Sequence, residues 1–295
     1  MYIQSISLVI IIITLSGFGC SNNPKDTIGP SPETYEFDVA WSPDGEIIAA
    51  CWHGLPSIRD RGIYFINTSD WSVEPFLVEE GIGSLYYSPS WSPDGKWLAF
   101  AKDAQIYKIK RNGDSLTQLT FTNRQWDCSW SYSDTLISYR ISFGDSSGIW
   151  IMNTYGENKK QIMRYTTGGE FTIGDSLLYI ESVESNIDTS HMVLFCFKDS
   201  TNREIMRWKK GSPYHFYSYP KITLNHQKIV LVIESYIWSV DLNGQNLTQL
   251  TTYKSGHPNW SPDGCKIVYV RANLEGGEIW IMDSDGSNQI RIPSF

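Results

Sequence analysis

The residues able to do chemistry are spread thinly along this chain. Gly144-Asp145-Ser146-Ser147-Gly148 matches the G-x-S-x-G pattern of a nucleophilic serine. That pattern works only on a sharp turn from a strand into a helix. Here it falls between two strand-like runs, Leu136 to Arg140 and Ile149 to Met152, so a plain loop is expected. Asp283-Ser284-Asp285-Gly286 has the opening spacing of a calcium loop but lacks the later ligands and the bidentate Glu, so a hairpin turn is expected. The five histidines, His53, His191, His215, His226 and His257, form no metal-ligand spacing. After Cys20, the remaining cysteines are Cys51, Cys128, Cys196 and Cys265; none forms a C-x-x-C pair, and small buried apolar residues are expected, with a disulfide in an oxidising compartment as the alternative. No acid/base pair stands at a readable spacing. The expectation is no catalytic set, no metal and no cofactor.

Charge narrows the partners. The chain has 295 residues and a formal net charge of −8. It has no basic run, whereas nucleic-acid binding needs stripes of Lys and Arg to displace counterions. No nucleic-acid partner is expected.

The elements that must position any site are repeats. Trp41-Ser42-Pro43-Asp44-Gly45, Trp91-Ser92-Pro93-Asp94-Gly95 and Trp260-Ser261-Pro262-Asp263-Gly264 are near-copies. Each reads as an apolar anchor, a turn pre-set by Pro and closed by Gly, and then an apolar strand. The Trp position continues, with decay, as Trp130, Phe171 and Ile222, giving six copies at intervals of about 40–50 residues. A second strand follows each turn, as in Trp97 to Ala101, and a third follows that, as in Ile106 to Ile109. A fourth closes most units, as in Thr117 to Thr120. Asn112-Gly113, Asn243-Gly244 and Asp285-Gly286 separate strands three and four. Four antiparallel strands per repeat predict an all-β, six-bladed β-propeller over residues 36–295. Ring closure is expected from packing between the first and last blades or from residues 30–35.

The W-S-P-D-G-x-x-[I/L]-A-F motif, followed by I-[Y/W]-x-[M/I] and x-Q-L-T, resembles the propeller repeats of the TolB family. That resemblance implies a periplasmic, TolB-like propeller with protein partners. The same repeat occurs in prolyl oligopeptidase-like propellers, so it specifies the repeat type more than the function. The Ser-Pro-Asp-Gly turns are also similar to sialidase Asp-boxes, which have one more residue between Asp and Gly.

The N-terminus reads as an export signal. Leu8 to Leu15 is apolar apart from Thr14, and Gly17-Phe18-Gly19 leads into Cys20. This resembles a bacterial lipoprotein processing site. The resemblance implies a signal peptide over residues 1–19, lipidation at Cys20, and attachment to the membrane through that lipid alone. Ser21 after the Cys implies the outer membrane; a plain periplasmic or secreted protein and an uncleaved anchor are the alternatives. Residues 20–35 are polar and Pro-rich and are read as a flexible tether.

Strand alternation puts the Ser-Pro-Asp-Gly and Asn/Asp-Gly turns at one end of the ring. The loops between strands two and three, and the blade connectors, lie at the other. Those connectors carry aromatics, among them Tyr87, Phe121, Trp126 and Tyr253, and the run Tyr214-His215-Phe216-Tyr217-Ser218-Tyr219. Aromatics with polar handles suit a protein segment or a glycan, and equally suit packing at blade junctions. His257 stands at the start of an inner strand, and the aligned positions in blades one and three are Asp38 and Asp127. Such a trio suits a metal or cationic ligand, or a solvated channel lining, and the lining is expected. The candidate partner-binding residues are Trp52, His53, Trp126, Tyr217, Tyr219 and His257. The expected function is a monomeric, non-enzymatic envelope protein that binds a protein or peptide; the alternative is a glycan-binding or glycan-cleaving propeller.

Overall fold

The computed structural model describes residues 37–52, 60–80, 83–122, 124–164, 166–172, 176–182, 189–197, 199–209, 220–223, 227–273 and 277–292. The export signal, Cys20 and the tether lie outside the described residues, as do His53, Tyr217 and Tyr219.

Six four-stranded antiparallel sheets follow one another, each built from consecutive strands. Blade 1 holds β1 (Phe37–Trp41), β2 (Ile47–Trp52), β3 (Arg61–Asn67) and β4 (Val73–Glu79). Blade 2 holds β5 (Tyr86–Trp91), β6 (Trp97–Lys102), β7 (Gln105–Lys110) and β8 (Thr117–Gln118). Blade 3 holds β9 (Gln125–Trp130), β10 (Leu136–Ile141), β11 (Gly148–Asn153) and β12 (Lys160–Arg164). Blade 4 holds β13 (Thr166–Phe171), β14 (Leu177–Ser182), β15 (Thr189–Cys196) and β16 (Thr201–Lys209). Blade 5 holds β17 (Lys221–Ile222), β18 (Lys228–Ile233), β19 (Tyr236–Asp241) and β20 (Thr248–Gln249). Blade 6 holds β21 (Ser255–Trp260), β22 (Lys266–Arg271), β23 (Glu278–Asp283) and β24 (Ile290–Arg291). The chain is an all-β, six-bladed propeller.

Every residue of the Trp column, from Trp41 to Trp260, is the last residue of its blade's innermost strand. The reason is packing between blades. Trp91 is buried among Ala40, Cys51 and Ile63 of blade 1 and Leu98 and Phe100 of its own blade. Its indole Nε1 donates to the Ala40 carbonyl at 3.2 Å. Trp260 repeats the arrangement, donating to Lys221 O at 3.1 Å. Apolar clusters of this kind fill all six junctions.

Among the described residues, the seam between blades 6 and 1 closes by packing, with no strand shared across it. Val39, Ile48, Ala50 and Ile66 meet Val268, Val270, Ile279 and Ile281. Trp41 N donates to Asn259 Oδ1 at 3.0 Å across the seam. Trp71, in the blade 1 turn where blades 2 and 5 carry Asn-Gly, packs against the same cluster.

Two outer strands were not legible in the sequence: β16 is largely exposed, and a bulge at Phe76 breaks the alternation of the mostly half-buried β4. Among the described residues the four cysteines are free; Cys51 and Cys128 are buried as expected, and Cys196 is half-buried. Cys265 departs from expectation, standing exposed in the blade 6 turn, where side chains point to solvent.

Candidate functional site

The inner strands line a central channel with two unlike mouths. At the lower mouth lie the Ser-Pro-Asp-Gly turns. Their polar groups serve the turns themselves. Ser92 Oγ donates to Asp94 Oδ1 at 2.7 Å and accepts Trp97 N at 2.9 Å, while Lys96 N donates to Asp94 Oδ1 at 3.0 Å. Ser42 with Asp44, and Ser261 with Asp263, repeat the pattern. The Ser261 hydroxyl, followed by the Cys265 N–H, holds the Asp263 carboxyl below its ordinary range. These carboxylates are structural, as are two motifs singled out above. Ser146 lies in an exposed turn between β10 and β11 where Ser147 N bonds Gly144 O at 3.0 Å. Asp283 to Gly286 closes the β23–β24 hairpin through Gly286 N to Asp283 O at 2.9 Å.

The upper mouth is built from bulges. In blades 2, 3, 4 and 6 the inner strand gains one residue against its neighbour. The extra pairs are Ser88-Pro89, Asp127-Cys128, residues 168–169 and His257-Pro258. Each stands opposite a fully buried aromatic, respectively Phe100, Tyr139, Tyr179 and Tyr269. Ser88, Asp127 and His257 take positive φ of 51°, 51° and 50°. That conformation costs a non-glycine residue about 1 kcal/mol, and bulges re-aim side chains.

The re-aimed groups meet around the channel. His257 Nδ1 pairs with Asp38 Oδ1 across the seam. Ser88 N donates to Asp38 Oδ2 at 2.6 Å, so Asp38 links blades 6, 1 and 2. Ser88 Oγ reaches Asp127 Oδ1 at 3.4 Å, and Arg140 Nε holds Asp127 Oδ2 at 2.5 Å. Lys221 Nζ pairs with Glu170 Oε2 at 2.5 Å, joining blades 5 and 4. Cys128 Sγ donates to Ser88 O at 3.0 Å, and burial pushes its thiol pKa well up, so it stays protonated. The aligned trio Asp38, Asp127 and His257 does converge, but each member is engaged by a neighbour. Among the described residues, no group of three or more His, Cys, Asp and Glu is arranged to hold a metal ion.

Sequence reasoning missed Ser88, Arg140, Glu170 and Lys221. Counting back from the Trp column finds three of them, Ser88 three residues before it and Glu170 and Lys221 one before it. Arg140 sits on the adjacent strand, where no register signal marks it.

The expected aromatics divide. Trp52 is only 3% exposed and belongs to the seam core, so its indole has no surface to offer a partner. Trp126 is half-buried and meets Tyr87 edge-on at 5.1 Å, at the junction of blades 2 and 3. Phe121 is 76% exposed, and Phe143, in the β10–β11 loop, is 69% exposed with the Arg124 guanidinium 6.0 Å from its ring. Tyr253 lies under Arg271 at 3.6 Å.

No protein-family model matches the chain. It is 23% identical over 233 residues to an uncharacterized protein of Agrobacterium fabrum, covering 69% of this chain and 74% of that one. Among solved structures, TolB from Acinetobacter baumannii superposes with a TM-score of 0.65 at 17% identity, over 86% of this chain and 62% of that one. The chain thus spans less than two thirds of that protein's length. A putative TolB from Agrobacterium tumefaciens gives 0.60 at 19% identity, over 75% and 84% of the two chains. Oligogalacturonate lyase from Vibrio parahaemolyticus gives 0.55 at 12% identity, over 82% and 76%. In fold, this chain is a TolB-like six-bladed β-propeller.

Proposed function

We propose that this chain is a non-enzymatic envelope protein whose upper face binds a protein or peptide partner. The observation that carries the reading is the pair of exposed rings, Phe121 and Phe143, on the upper loops flanking β9 and β10, with the Arg124 guanidinium 6.0 Å from the Phe143 ring. Exposed aromatics next to a guanidinium are the side chains that dominate protein interfaces. The channel's ionisable groups are engaged in pairs, two of them tying neighbouring blades together and Arg140 with Asp127 lying within blade 3, which supports a rigid platform over a reaction centre. His257 contributes as part of that platform. His53, Tyr217 and Tyr219 remain further candidates for the same face. The TolB likeness agrees with a protein partner and with an envelope location, and attachment through lipid on Cys20 completes the reading. The protein acts as a monomer without nucleic acid.

In-cell crosslinking of the tagged full-length protein, with mass spectrometry of the captured envelope fraction, tests this. One dominant partner, lost on Phe121→Ala with Phe143→Ala while the melting curve holds, is the expected result. A partner retained in that double variant counts against the upper face. The fold likeness to oligogalacturonate lyase supports a second reading, a glycan-binding or glycan-cleaving propeller. A polysaccharide cleavage screen that returns product would favour it.

A further inference from the structure

Below the ion-paired ring the channel widens into a cup of about 340 Å³ that opens among the Ser-Pro-Asp-Gly turns. That volume is at the lower end for small-molecule sites. Its rim carries half-buried proline rings, Pro43, Pro93 and Pro262. In blade 3 the repeat breaks, and Tyr132 replaces the proline. Among the described residues, Glu170 and Lys221 are the only charged ones lining the cup.

The hydrogen-bonding capacity of these groups is only partly used by the described residues. Lys221 Nζ makes one bond, to Glu170 Oε2, which leaves Glu170 Oε1 and the other ammonium protons available. Asn259 spends its Oδ1 on Trp41 N, and its Nδ2 donors remain. Ser90 Oγ accepts Trp130 N and retains its own proton. Tyr132 is mostly buried with its pKa raised, first by burial and then by Glu170, so its hydroxyl stays a donor at neutral pH.

We infer that this cup is a binding site for a neutral pyranose unit, separate from the partner face at the other mouth. Glu170 and Lys221 neutralise one another, so a net charge on the ligand would be desolvated there without a counterion. Donors and an acceptor standing side by side suit hydroxyl groups, which give and take hydrogen bonds at once. Proline and tyrosine ring faces suit the C–H face of a sugar. None of the sequence motifs announces the site, because its distinguishing residue is the one that departs from the repeat.

The test is saturation-transfer NMR on the full chain with three neutral probes. These are methyl β-D-glucopyranoside, methyl β-D-galactopyranoside and methyl α-D-mannopyranoside, with D-glucuronate and D-glucosamine as charged comparators. At least one neutral glycoside should bind with a millimolar Kd, and the charged sugars about 5-fold or more weaker. Tyr132→Phe should weaken the neutral probe about 3- to 10-fold, the loss of one hydrogen bond. Glu170→Gln leaves Lys221 unbalanced and should turn the preference toward glucuronate. Trp126→Ala, at the opposite mouth, should leave sugar binding unchanged. No neutral glycoside bound at about 20 mM overturns the inference. So does binding that Tyr132→Phe and Glu170→Gln leave untouched. Melting curves establish that each variant folds; if Glu170→Gln does not, Tyr132→Phe decides alone.

Discussion

The two mouths of the channel are made from the same six strands and behave differently. At the lower mouth, Ser42, Ser92 and Ser261 each make the same pair of bonds, and Asp44, Asp94 and Asp263 cap the same backbone N–H. At the upper mouth, the position three before the Trp column is Asp38 in blade 1, Ser88 in blade 2, Asp127 in blade 3 and His257 in blade 6. Three of these four stand at positive φ. Repetition marks the groups the fold consumes in holding itself together. Departure from the repeat marks the groups that single out this chain, and Tyr132 shows that the rule reaches the lower mouth too.

The largest effect should come from the repeated column. Trp91→Ala empties a buried site between blades 1 and 2 and should cost about 3–5 kcal/mol in urea unfolding. Trp126→Ala, half-buried at the upper junction, should cost about 1–2 kcal/mol. Equal losses would erase the distinction between scaffold and face.

Next in size is the turn hydroxyl. Ser92 is fully buried, and Ser92→Ala leaves Trp97 N without its acceptor, at a cost of about 1–3 kcal/mol by thermal melting. Ser88→Ala keeps its backbone bond to Asp38 and should cost less than Ser92→Ala. The reverse order would show that the upper ring, too, is mainly scaffold.

The smallest effect is a pH dependence. Glu79 at the end of blade 1 meets Lys102 of blade 2, accepts Ser84 N at 3.0 Å and accepts the Tyr86 hydroxyl at 3.0 Å. The Lys102 ammonium, opposed by partial burial and aided by Ser84, holds its pKa near 2 in place of the ordinary 4.5. A lowered carboxylate pKa adds stability that is complete above about 4.5 and is lost as pH falls toward 2. Glu79→Gln should therefore flatten the acid limb of the stability curve between those values. Glu79 is partly solvated, so the change should be modest. An acid limb identical to that of the parent protein would remove this junction from the account.

Much of the fold was legible in the sequence, because one large aromatic and a Ser-Pro-Asp-Gly turn leave little choice of register. Phe171 and Ile222 kept that register after the motif itself had decayed. Strand β16 was hidden because an exposed edge carries no apolar alternation, and β4 because a bulge at Phe76 breaks it. The trio Asp38, Asp127 and His257 could be aligned, but their partners could not. Arg140 reaches Asp127 from the next strand, and Glu170 and Lys221 meet across a blade junction. Contacts between blades arise from ring closure, which no local pattern encodes. Trp52 misled for a related reason: it ends a strand at the seam, where the last blade covers it.

The most direct test of the partner face uses two exposed aromatics of one region on opposite faces. Phe121 lies on the connector into blade 3, and Tyr155, 78% exposed, lies on that blade's lower turn. A photo-crosslinking amino acid would replace each in turn, in the full-length protein in cells. The account expects a defined adduct from position 121 and none from position 155. An adduct from position 155 alone, or the same adduct from both, would contradict it.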